Sequence, residues 1–376
     1  MKGAGLAPLL VLAVGVAFVV AGCGATFTGN GGGSATTFRD PSLTPSANVA
    51  PGTADFEGWA DCKSCHWGIY DDLRTPTANP GRRYHGGNFH DADSPPGEPP
   101  SEHGRDLIDG YGGACAACHT VGYDEPGGFN DGPIVTPGPL DNIQCEECHG
   151  PGGDHHGDPS KINRVPDAQE TCWDCHVPSY KMLRGPVGPR VDADFVGTKP
   201  SSVGVHHPQA TMIAGTYGYE YASRGVYPQG AHSDILNTCV TCHLQGNPVG
   251  PSGYLSHLPD DLHPDDNICA VCHAGGASDA LEDLEHEVIE LLIELGGEDP
   301  ANPGHPDPDA TGGALGAYAS AHGIDLGDAA TDNVYYRTYK GAKYNHSYVE
   351  HDASHGAHNP PYARALLEDS IAALQP

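Results

Sequence analysis

Apolar residues cluster at three places along the chain and are otherwise scattered. The first cluster is "LAPLLVLAVGVAFVV", Leu6 to Val20, with Lys2 before it and "VAGC" closing it at Cys23. A cation, an apolar core and small residues before a cleavage point are the pattern of an export signal. The run is shorter than the ~20 apolar residues of a membrane span. The second cluster is "DALEDLEHEVIELLIELGG", in which Leu281, Leu284, Val288, Leu291 and Leu295 recur at helical spacing. Asp279 and Glu282 stand at capping-box spacing, and Gly296 predicts the end of the helix. The third is "NPPYARALLEDSIAAL": Asn359 is the predicted cap, the prolines suit the first turn, and Leu366, Leu367, Ile371 and Leu374 form the stripe. Both stripes read as core contacts.

Between these clusters the pattern is polar and broken. Residues 24–58 are rich in Gly, Ser, Thr, Pro and Ala and read as a flexible tether, and "GEDPANPGHPDPDATGG" between the two helices reads as a loop. Gly and Pro together are 86 of 376 residues, just under the ~25–30% at which composition alone suggests disorder. Such a chain predicts few long helices or strands, and something besides a peptide core to order it. At Cys23, "VAGC" resembles the lipobox of bacterial lipoproteins, which implies cleavage before a lipidated Cys23. Gly24 in place of Asp implies release toward the outer membrane.

The cysteines supply the missing ordering principle. Of 13, twelve fall in six Cys-x-x-Cys-His units, "CKSCH", "CAACH", "CEECH", "CWDCH", "CVTCH" and "CAVCH". Their first cysteines are 53, 30, 27, 67 and 30 residues apart, too irregular for a solenoid repeat. Zinc knuckles and redox dithiols both use Cys-x-x-Cys, but neither requires His next. His is 23 of 376 residues, so its presence after every second cysteine is not chance. The pattern is that of c-type haem attachment. Two thiols form thioethers to one haem, and the adjoining imidazole ligates iron from the proximal face. The thioether pairs are Cys62 and Cys65, Cys115 and Cys118, Cys145 and Cys148, Cys172 and Cys175, Cys239 and Cys242, and Cys269 and Cys272. The proximal ligands are His66, His119, His149, His176, His243 and His273. The predicted cofactors are thus six haem c, each burying a large apolar surface at a site the sequence specifies.

The chain therefore resembles a bacterial multihaem cytochrome c. Four further stretches, "CHGPGGDHH" from Cys148, "HHPQATMIAGTYGYEY" from His206, "YPQGAHSDILNTCVTCH" from Tyr227 and "SHGAHNPPYARALLE" from Ser354, resemble exported multihaem cytochromes. That group includes extracellular electron carriers and relatives of the tetrahaem cytochrome of ammonia oxidisers. The resemblance implies that histidines at such positions reach the distal face of a haem other than the nearest. It points to His155, His207, His232 and His358, to His257 with His263 as its rival, and to His90 with His85 and His103 close behind. Only Met182 and Met212 follow the signal, so at most two haems can be His/Met, and the bis-His remainder belongs at the low-potential end.

The net charge of −31 argues against nucleic acid or an anionic membrane surface as partner, since both need a basic patch. The reading is an electron-transfer protein exported to the outer membrane, on its periplasmic or cell-surface side. It touches the membrane only through its lipid anchor. It passes electrons to other cytochromes or redox proteins, an external acceptor or copies of itself. The alternative is a multihaem reductase or oxidase of small nitrogen or sulfur compounds, which needs one open-coordinate haem and groups such as Lys343, Tyr344 and His346 in "GAKYNHSYVEH". A loop covering a haem edge explains that stretch equally well. No catalytic residue is assigned. The expected fold is mainly irregular with short α-helices around a haem-organised core, with little β-sheet. Its divisions are 1–22 signal peptide, 23–58 lipidated tether, 59–200 four-haem lobe and 201–376 two-haem lobe with C-terminal helices.

Overall fold

The computed structural model describes residues 56–66, 118, 120–122, 127–129, 140, 144–155, 172–173, 175–177, 188–235, 238–243, 269–270, 272–273 and 277–375. All of them lie in one compact unit, Thr36–Pro376. Among the described residues the chain is helical and irregular. There are no strands there, and the isolated bridges include Arg190 to Tyr219 and Glu298 to Pro306. No described helix is long and apolar enough to cross a membrane.

Four helices are single turns or little more: α1 (Trp59–Cys65), α2 (Cys145–His149), α3 (Gln209–Ile213) and α4 (Thr238–His243). Four longer ones build a C-terminal bundle: α5 (Ser278–Gly296), α6 (Gly313–His322), α7 (Val334–His351) and α8 (Pro360–Leu374). In α8 the expected features are present. Asn359 accepts from the Tyr362 N–H, and Leu366, Leu367, Ile371 and Leu374 are buried. In α5 the capping box is not formed. The Ala277 carbonyl accepts the first helical bond, from Leu281, so the cap falls at Ala277 and the helix starts two residues early. Asp279 then falls inside the first turn, where it acts on the helix dipole rather than as a cap. The buried face is Leu284, Val288, Leu292 and Leu295, with Leu281 and Leu291 only flanking it.

The stretch "GAKYNHSYVEH" is helix, the C-terminal half of α7. The inward face of α7 is made of tyrosines, so no aliphatic stripe announces it: Tyr336, Tyr339, Tyr344 and Tyr348 are all buried in the shared hydrophobic core. Asn333 caps it, accepting from the Tyr335 and Tyr336 N–H groups at 3.0 and 3.1 Å.

The bundle serves as a wall on which the extended segment 188–235 is hung. Asn345 pairs with the Tyr219 main chain on both sides, at 2.8 and 2.9 Å. Tyr348 donates to Thr211, and the Gly218 N–H donates to Tyr362. Buried Lys340 donates to the Phe195 carbonyl at 3.1 Å. Apart from the Tyr348–Thr211 bond, which joins two side chains, each gives an irregular, partly buried backbone a partner that a helix or sheet would otherwise supply. The segment that is thereby immobilised carries His207 and His232.

Candidate haem-ligating site

The Cys-x-x-Cys-His units whose ends are described each fold as a helical turn. The His66 N–H donates to the Cys62 carbonyl at 2.9 Å, His176 to Cys172 at 2.9 Å and His273 to Cys269 at 2.7 Å. Residues i, i+3 and i+4 of a turn share a face, so both thiols and the imidazole point the same way. No disulfide joins the described cysteines. Across units, the Cys62 and Cys145 thiols lie near enough to shift each other's ionisation, and Cys172 lies near enough to shift that of Cys239.

The histidines on these turns face others from distant parts of the chain. His66 lies opposite His155 with ring centroids 6.1 Å apart, His176 opposite His207 at 5.7 Å, His232 opposite His273 at 6.2 Å, and His243 opposite His358 at 6.2 Å. The His66 and His155 rings are near parallel, 18° apart, and the other three pairs meet edge to face. A ring nitrogen stands ~1.1 Å from its centroid and metal–imidazole bonds are ~2.0–2.1 Å, so one metal atom between two rings needs roughly 6.2 Å. The spacings of 6.1, 6.2 and 6.2 Å match a metal held from both sides, and the His176–His207 spacing of 5.7 Å is shorter than that.

The supporting contacts fix the tautomer. Nδ1 of His176 lies 3.2 Å from Gln209 Oε1, Nδ1 of His232 lies 2.9 Å from the Ala357 carbonyl, and Nδ1 of His358 lies 2.7 Å from Asp352 Oδ1. Each acceptor requires the proton on Nδ1, which makes Nε2 the nitrogen with a lone pair to offer a metal. Burial, with the nearby His358 and His176 adding to it, pushes His243 down to about 4 and keeps that ring neutral, as a metal ligand must be.

Two turns aim the rings. Glu146, 3% exposed, accepts from the Glu57, Gly58 and Gly152 N–H groups at 2.7–3.1 Å. Its carboxylate ties the entry of α1 to the turn after α2. Gly150, at φ 76°, starts that turn in a conformation a side chain disfavours, and His155 leaves it toward His66 rather than its own His149. His149 itself closes α2 and is half-buried. His207 has φ 49°, rare for a residue with a side chain and a form of stored strain that clusters at functional sites. Gln209 then holds the other end: its Nε2 donates to the His351 and Asp352 carbonyls, fastening the His176 partner to the end of α7.

Cys23, His90, Cys115, His119 and His257, with the rivals His85, His103 and His263, lie outside the described residues. Met212 is wholly buried in the bundle core. Glu146, Gln209 and Asp352 went unrecognised in the sequence. Their spacing to the Cys-x-x-Cys-His units was the only available signal, and spacing does not distinguish them from solvated polar residues.

Residues 102–150, which hold the Cys115 and Cys145 units, match the family described as cytochrome c554 and c-prime. The match agrees with the resemblance to multihaem c-type cytochromes that the six units carry. No curated protein matches the chain. Among solved structures, an outer cell wall cytochrome, OcwA, is 22% identical over 72% of this chain, with a TM-score of 0.40. An undecaheme cytochrome from the S-layer of Carboxydothermus ferrireducens is 20% identical over 84% of this chain, with a TM-score of 0.44. The chain spans 48% and 45% of those two structures, about half of each.

Proposed function

We propose that the protein transfers electrons through six covalently bound c-type haems, most of them ligated by two histidines. The observation that supports this best is the set of four facing histidine pairs, each joining a Cys-x-x-Cys-His unit to a remote residue, three of them at a separation that suits one metal atom. In this reading His155, His207, His232 and His358 are distal ligands to the haems of Cys62/Cys65, Cys172/Cys175, Cys269/Cys272 and Cys239/Cys242. His90 and His257 serve the two remaining haems. Haem iron supplies the one-electron chemistry, and the chain supplies placement, ligand choice and burial. The nearness of Cys62 to Cys145 and of Cys172 to Cys239 favours haems packed in close pairs. The pairing of His176 with His207 crosses the proposed division at residue 200, tying the four-haem part to the two-haem part.

The proposal extends to export, lipidation at Cys23 and a place at the outer membrane, with another cytochrome, an external acceptor or a further copy as redox partner. The test is the absorption and EPR spectrum of the purified haem-loaded protein, with and without carbon monoxide or nitrite. Six low-spin haems indifferent to both are expected. A high-spin haem that responds to either would replace this reading with that of a reductase or oxidase.

A further inference from the structure

The three recorded contacts behind the facing histidines differ in kind. His176 meets a neutral amide and His232 a main-chain carbonyl, whereas His358 meets the carboxylate of Asp352 at the shortest distance of the three. Asp352 is 1% exposed, and among the described residues His358 is its only ion-pair partner. A buried carboxylate without Arg or Lys beside it is costly. The chain nevertheless holds it in place with a dedicated turn. Ser354 donates to the other carboxylate oxygen and accepts from the His358 N–H at 3.1 Å. Ala353 and His355 both take positive φ, 58° and 45°, to bring the two ends of that turn together.

We propose that Asp352 is a positioning residue that gives the His358 imidazole anionic character. It thereby sets the haem of Cys239/Cys242 lower in potential than the haems served by His207 and His232. The proposal rests on the reading of His358 as an iron ligand. A carboxylate that accepts the Nδ1 proton makes the other nitrogen a stronger donor. Stronger donation favours the ferric over the ferrous state, and a neutral acceptor such as Gln209 or Ala357 does this less.

The experiment is a spectroelectrochemical titration with EPR on the haem-loaded full chain, comparing wild type with Asp352→Asn and His358→Ala. Asp352→Asn keeps an acceptor and removes the charge. The expected result is that one midpoint rises, with the ratio of oxidised to reduced haem at fixed potential changing tenfold or more, which is about 59 mV for one electron. That haem stays low-spin with altered g-values, and the other midpoints stay where they are. Unmoved midpoints in Asp352→Asn, with one haem turned high-spin in His358→Ala, overturn the tuning role but keep the ligand. If all haems stay low-spin in His358→Ala, the ligand assignment fails first and takes the proposal with it. Several midpoints moving together with a lower melting temperature reduce Asp352 to a structural role. Should Asp352→Asn not accumulate, Ser354→Ala leaves the charge but frees one tether. The same midpoint must then rise by a smaller amount, or the proposal falls.

Discussion

Replacing Glu146 with Ala should open one haem while leaving the rest of the protein folded. The carboxylate holds three N–H groups, from Glu57, Gly58 and Gly152, at 2.7–3.1 Å. A hydrogen bond to a charged group contributes ~1.5–3 kcal/mol, so three bonds sum to about 5–9 kcal/mol. The sum overstates the effect, because Glu57 and Gly152 are only half-buried and regain water when released. A net loss of about 3–5 kcal/mol is the working figure. It falls on the link between the entry of α1 and the turn that presents His155, not on the C-terminal bundle, which contains none of these residues. A loss of 3 kcal/mol shifts the docked-to-open ratio of that turn by more than a hundredfold, since about 1.4 kcal/mol is a factor of ten. His155 then no longer stands opposite His66. The EPR spectrum of Glu146→Ala should show a high-spin ferric signal integrating to one haem, and the reduced protein should bind one carbon monoxide. Far-UV circular dichroism should melt as wild type does. A variant that keeps every haem low-spin and binds no carbon monoxide refutes the claim that this carboxylate holds the ligand turn. Uniform loss of all low-spin signal refutes the claim that its effect is local.

Two further outcomes follow from the bundle. Asn359 caps α8 and also donates to the Met212 and Ile213 carbonyls at 3.1 and 3.3 Å. Asn359→Ala should cost about 2–4 kcal/mol, a cap of ~1 plus the bonds lost at the Ile213 carbonyl and at the Met212 carbonyl, which keeps the Gly215 N–H, while Asn359→Asp should restore the cap alone; thermal melting of both variants checks this. Burial pushes the Glu350 carboxyl up to about 7 from an ordinary 4.5, so its contribution to stability is complete below 4.5 and is lost as pH rises to 7. Burial pushes His346 down to about 4 from 6.5, so its contribution is complete above 6.5 and is lost as pH falls toward 4. The two slopes oppose each other, so this pair together adds little pH dependence between pH 4.5 and 6.5. Glu350→Gln should unmask the His346 slope, a loss on the order of 2–3 kcal/mol across that range, read by urea denaturation. Equal curves for variant and wild type would contradict it.

The sequence alone determined what depends on near neighbours. A Cys-x-x-Cys-His unit carries its own geometry, because residues three and four apart share a helical face wherever the turn is placed. The α5 and α8 stripes were legible for the same reason, since aliphatic residues repeating at 3.6 positions have one inward face. Helix α7 escaped the same reading because its inward face is tyrosine, whose hydroxyls reach partners such as Thr211 that no periodicity reveals.

The tertiary structure decided the pairings. By sequence His155 could face any nearby unit, and the Glu146 carboxylate, gathering three backbone donors, holds the turn from which it faces His66. His358 faces His243 from more than a hundred residues away because α8 lies against α5 and α7, and those contacts form between surfaces rather than along the chain. The residues that orient the rings, Gln209 and Asp352, have no local signature either. A polar side chain looks the same in sequence whether its partner is water or a buried imidazole. Only the folded chain brings that partner within hydrogen-bond reach.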